Sequence, residues 1–222
     1  MKKTQNINSK KPGRPKATPQ TAAPREELLN AAAYLFSKNG MAATSLAKVA
    51  AEAGLTSAMI HYYFKNKEQL IEAVAEERLA CFLRLVLSDE KPDGNTDLEV
   101  FFDALLHRLS RACVTHPWIP QLWLREIITE GGGLRSHLLK HLPLDLFREV
   151  SALYRQRQAD GQYPEDIEPA LLFLTTISSF MLPLAIGDMI KQLPGIECVE
   201  PEQLAEHASA VVRHGFFGRT KD

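Results

Sequence analysis

No run of alternating Val, Ile and Thr bounded by hairpin signals occurs in the sequence, which removes a sheet from consideration and leaves an all-α chain. Cysteine is scarce. Cys81, Cys113 and Cys198 stand far apart, form no Cys-x-x-Cys pair and are odd in number. The simplest reading is a reduced, cytoplasmic protein without a disulfide framework. Gly-x-Ser-x-Gly, a phosphate loop and a recognisable pair of catalytic carboxylates are all missing, so neither an enzyme nor a bound cofactor is expected. His137 and His141 are spaced i, i+4, but no acidic or Cys ligand completes a set nearby, so no metal is expected. The basic, polar start MKKTQNINSKKPGRPK has no apolar segment behind it and is not a secretory signal. Only Ala170 to Gly187 approaches membrane-span length without a charge. Thr175, Thr176, Ser178, Ser179 and Pro183 dilute it, and its flanks are Glu168 and Asp188 rather than basic or aromatic anchors. It reads as a buried or interface helix, and no membrane partner is expected.

What is present is a chain of 222 residues, 45% hydrophobic, enough to bury a real core. The net charge of −1 hides an asymmetry. The first 70 residues hold 11 Lys/Arg against 4 Asp/Glu, and the remainder holds 15 against 23. A basic front on an acidic body points to one part that meets a polyanion and another that does not.

Three regions follow: a disordered basic tail over 1–22, a compact helical domain over 23–83 and a larger helical body over 84–222. Pro24 suits a first helical turn, and Leu28, Ala32, Leu35 and Phe36 follow at helical spacing until Gly40. Thr44 is read as the cap of a second helix, Thr56 of a third, and Asn66 with Gln69 as a capping box for a fourth that runs to about Leu87. Thr96 is read as the cap of the helix through Phe102, Leu106 and Leu109. A long apolar helix is expected over roughly 166–192, bent at Pro183, and a last one over 201–216.

Residues 44–70 carry the strongest signal. Two short helices meet at Gly54, and the second opens on a hydroxyl cap. Ala50 and Ala53 are small enough to let the helices cross closely, while Val49, Ile60 and Phe64 supply the contact. This is the pattern of a helix-turn-helix. Upstream, Lys10-Lys11-Pro12-Gly13-Arg14-Pro15-Lys16 resembles an AT-hook, in which Arg14 would enter the minor groove of A·T-rich DNA. A solvated basic arm is the competing reading.

Thr44-Ser45, Val49-Ala50, Ala53-Gly54-Leu55-Thr56, His61-Tyr62-Tyr63-Phe64 and Lys67-Glu68-Gln69-Leu70 together resemble the DNA-binding domain of the TetR family of bacterial regulators. The commoner family order at the aromatics is Tyr-His-Tyr-Phe. The resemblance implies a three-helix DNA-binding domain followed by a body for ligand binding and dimerisation. It assigns phosphate contacts to Thr44 and Thr56, base-edge positions to Ser57, Ala58, Met59 and His61, and backbone grips to Tyr62, Tyr63 and Lys67. It also raises a ligand-pocket reading for Trp118, Trp123, Phe147, Phe173 and Phe180, which composition alone would place in the core. Arg125 and Glu126 are either orienting groups for a polar ligand or an ordinary exposed pair. Cys113 reads as a small buried residue. The expected function is repression at a palindromic operator on double-stranded DNA by a homodimer that answers an unknown small-molecule effector. The alternative is an architectural binder of A·T-rich DNA.

Overall fold

The computed structural model describes residues 19–87, 92–129, 131–194 and 200–218, and among them every regular element is a helix. Arg14 of the AT-hook-like segment and Cys198 lie outside the described residues.

The first helix, α1, spans Pro19–Asn39, earlier than Pro24 suggests. Pro24 sits inside it, where its missing N–H costs one intrahelical bond without ending the helix. Gly40 ends it at φ +80°, donating its N–H to the Phe36 carbonyl. Then come α2 (Leu46–Glu52), α3 (Ser57–Tyr63) and α4 (Lys67–Val74). A π-helical turn, Ala75–Leu79, joins α4 to α5 (Ala80–Leu87), so one helical path leaves the small domain and enters the body. The body continues with α6 (Leu98–Thr115), α7 (Ile119–Trp123), a second π turn (Leu124–Ile128), α8 (Arg135–His141) and α9 (Leu144–Ala159). A 3₁₀ turn (Pro169–Leu171) leads into α10 (Leu172–Ala185), followed by α11 (Gly187–Ile190) and α12 (Pro201–Phe216).

Asp97, not Thr96, caps α6 by accepting from the N–H groups of Glu99 and Val100. The Thr96 hydroxyl instead bonds Asp93 within the preceding turn. The expected helix over 166–192 is in fact three pieces, the 3₁₀ turn, α10 and α11, with a break at Ile186, and Pro183 lies within α10. None of the helices among the described residues is long and apolar enough to cross a membrane.

Two apolar cores result. One joins Leu28, Ala32 and Phe36 of α1 to Val49, Ile60, Leu70 and Val74, and takes in Leu122, Ile127 and Leu134 from the body. The N-terminal helical domain thus shares its core with α7 and the second π turn. The other core lies between α6, α9, α10 and α12. There the Tyr154 hydroxyl, pushed up to a pKa of about 12 by burial, donates to the Phe216 carbonyl at 2.5 Å.

Candidate DNA-binding surface and effector cavity

The helix-turn-helix is assembled by local chemistry. Leu55 N–H bonds the Ala50 carbonyl at 2.8 Å, and Gly54 takes φ +67°, which reverses the chain between α2 and α3. Thr56 caps α3 through its hydroxyl, which accepts from Met59 N–H at 3.3 Å. Asn66 caps α4 by accepting from Gln69 N–H at 2.9 Å. Gln69 returns the bond to Lys65 N–H rather than to Asn66, one residue beyond a standard capping box.

α3 buries Ile60, followed by Phe64, and turns the opposite face to solvent. Ser57, Ala58, His61 and Tyr62 are exposed, Tyr62 by 77%, while Met59 and Tyr63 are half-buried. Tyr62 and Tyr63 pack edge to face with centroids 5.0 Å apart. Lys67 is half-buried, and its ammonium donates to the Ala42 carbonyl at 3.3 Å.

Thr44 is the exception. It is 1% exposed, and its hydroxyl donates to the Gly40 carbonyl at 2.8 Å. The side chain holds the α1–α2 corner and has no route to a phosphate. Its neighbour Ser45 is the true cap of α2, accepting from Lys48 N–H. Ser45 and Lys48 are exposed beside α3. Neither was singled out from sequence, because two adjacent hydroxyl residues satisfy the same capping pattern and only burial separates them.

In the body, a cavity enclosing about 90 Å³ lies among α5, α7, α9 and α10. Trp118, Trp123 and Phe147 line it as expected, with Phe82, Leu109, Ile177 and Met181. Three expected lining residues do not. Phe173 belongs to an aromatic cluster, 4.4 Å from Phe147 and 5.2 Å from Phe102 between centroids. Phe180 is wholly buried in the body core. Arg125 faces the small domain, with its Cδ beside Gly40. Cys113 is buried near Met181, and burial pushes its thiol up to about 12, which keeps it an unreactive thiol.

Glu126 is not an exposed residue. It is 6% exposed, and its two carboxylate oxygens accept from Met41 N–H at 2.8 Å and Gly133 N–H at 3.1 Å. One buried carboxylate therefore ties the corner after α1 to the loop before α8. Arg78, in the first π turn, ties the same domain from the other side. It donates to Glu26 at 2.6 Å and Asn30 at 3.0 Å, both on α1, and also lines the cavity. No spacing rule points to either residue, since each acts across a contact distant in sequence.

Residues 28–74 match the family described as bacterial regulatory proteins, tetR family. Over 65 residues the chain is 38% identical to the HTH-type transcriptional repressor KstR2 of Mycolicibacterium smegmatis, covering 29% of this chain and 32% of that protein. The alignment therefore spans about a third of that repressor. The HTH-type transcriptional regulator UidR of Escherichia coli is 25% identical over 83% of this chain and 86% of its own length. Among solved structures, the fatty acid degradation regulator FadR of Bacillus halodurans superposes with a TM-score of 0.62 at 15% identity, covering 90% of this chain and 98% of that one. Fold and site define a helix-turn-helix protein with a helical body. Over residues 28–74 its N-terminal domain is of the tetR family kind.

Proposed function

We propose that this protein is a cytoplasmic, ligand-responsive transcriptional repressor that binds a palindromic operator as a homodimer. One observation carries the reading. The helical path from Lys67 through Leu87 begins just after α3 in the chain, packs on α1, against which α3 also packs, and ends as a wall of the apolar cavity. A molecule that widens the cavity moves this path and, through α1, the seat of α3. In a dimer this changes the spacing of two recognition helices, and with it their fit to successive major grooves. Ser57, Ala58, Met59 and His61 read base edges; Ala58 and Met59 do so only through thymine methyls or shape. Thr56, Tyr62, Tyr63 and Lys67 hold the backbone, and Ser45 replaces Thr44 in that role. Trp118, Trp123 and Phe147 enclose the effector.

The test has two arms. Footprinting on the DNA upstream of the protein's own gene should show a protected palindrome; absence of protection overturns operator-specific repression. Ile177→Trp, which fills the cavity without any ligand, should change operator affinity about fivefold or more. An unchanged affinity would detach the cavity from DNA binding.

Lys67→Ala gives a separate expectation. If Lys67 neutralises one phosphate, the variant binds all DNA sequences more weakly, and the salt dependence of binding falls by about 1 in log–log slope. Salt titration by fluorescence anisotropy measures both; an unaltered slope removes Lys67 from the contact set.

A further inference from the structure

We propose that the effector is an amphipathic monoanion, a carboxylate on an apolar body, and that Arg78 reads its head group. This rests on the ligand-sensing reading above and specifies the ligand class.

Among the described residues, Arg78 is the only charged one lining the inner cavity. Beyond it lies a second, outer cleft between α1 and α5, lined by Glu26, Asn30, Glu77 and His116. Arg78, Phe82 and Trp118 belong to both spaces and form the partition between them. The inner space of about 90 Å³ is smaller than the roughly 150 Å³ of an apolar cavity that accepts benzene. A body of more than a few carbons must therefore part Phe82 from Trp118. Its far end then emerges beside the Arg78 guanidinium.

The charges of the cleft select the sign of that end. Both acids there are engaged: Glu77 accepts two bonds from Arg25, and Glu26 accepts from Arg78. His116 lines the same cleft, stacked near Trp118 with centroids 5.6 Å apart. Burial first, and the charge of Arg78 second, hold its imidazole below the usual range. An anion arriving between Arg78 and His116 competes with the Glu26 carboxylate for the guanidinium; a cation there meets the guanidinium head on and finds both acids already paired. A carboxylate also matches the guanidinium fork, two oxygens to two N–H groups.

Recognition and response are then one event. The Arg78 guanidinium donates to Glu26 and Asn30 on α1 of the DNA-binding domain and to the Glu77 carbonyl of its own turn. A ligand carboxylate that takes the fork withdraws it from α1 and loosens that domain from the body.

The experiment compares octanoate, 1-octanol and octylamine, equal in chain length and different in head charge, by calorimetry and thermal shift on the full chain. Octanoate should bind about tenfold or more tighter than 1-octanol, as expected for one charge-assisted bond, and octylamine weakest. Arg78→Met should bring octanoate down to the level of 1-octanol and leave 1-octanol unchanged. Arg78→Lys, which keeps the charge and loses the fork, should keep part of the preference. Equal or tighter binding of 1-octanol, tightest binding of octylamine, no binding of any of the three, or a preference that survives Arg78→Met overturns the proposal. The wild-type comparison stands even if Arg78→Met does not fold. Ligand sensing itself survives each of these results as long as Ile177→Trp shifts operator affinity.

Discussion

Leu174→Glu yields monomers that no longer hold the operator, although residues 44–70 are untouched. The expectation comes from α10 and α12, which pack together and leave an apolar stripe uncovered. Leu171 is 50% exposed, Leu174 57%, Leu182 42% and, on α12, Val211 52%. A second copy presenting the same pair of helices would cover this stripe in a four-helix bundle, and the two-fold axis would set both recognition helices on one side. A single glutamate then appears twice in that interface, each copy a carboxylate losing water with no cation opposite, at a cost of several kcal/mol apiece. Loss of the second half-site should lower operator affinity on the order of 10³-fold, toward the non-specific level. Val211→Glu should act alike. Light scattering after size exclusion, with a gel shift on the same sample, reads both effects. A variant that remains dimeric places the interface elsewhere; a monomeric wild type that binds its palindrome tightly removes the dimer altogether.

Glu126→Ala should lower stability by about 2–4 kcal/mol, since it leaves the buried N–H of Met41 and the partly exposed N–H of Gly133 without their acceptor. In a chain of this length that is a fall of roughly 5–15 °C in melting temperature. Glu126→Gln keeps one carbonyl oxygen for one of the two donors and should fall between alanine and wild type. The functional consequence follows from the neighbouring residue. Ile127 lines the cavity while Glu126 grips the end of α1, so the second π turn touches ligand space and DNA-binding domain one residue apart. With the grip gone, Ile177→Trp should alter operator affinity less in the Glu126→Ala background than in wild type. Scanning calorimetry and a double-mutant cycle in DNA affinity measure the pair. A melting temperature within a degree of wild type would show that water satisfies both donors.

The legible parts of this molecule are those whose physics is local. Thr56, Gly54 and Asn66 announce their roles because capping and chain reversal depend on residues within three or four positions. The sense of α3, with Ile60 and Phe64 inward and Ser57, His61 and Tyr62 outward, follows from helical spacing alone. Errors of one position arose where two neighbours offered equivalent chemistry. Thr44 and Ser45 both carry a hydroxyl, and Thr96 and Asp97 both can cap. The choice fell to whichever side chain the packed domain left facing the helix end.

The sequence by itself determined an all-helical chain and a helix-turn-helix of the TetR kind, because periodicity, caps and charge distribution are properties of short segments. Only the tertiary structure decided which aromatics enclose the cavity, sending Trp118, Trp123 and Phe147 to its wall and Phe173 and Phe180 to the core. It alone turned Arg125 toward the small domain, buried Glu126 against Met41 and Gly133, and set Arg78 between the cavity and α1. The reason is common to all of them. A buried charge or a cavity wall takes its role from groups brought near by folding: 85 residues separate Met41 from Glu126, and 52 separate Glu26 from Arg78. No pattern confined to a few turns of helix records such a pairing.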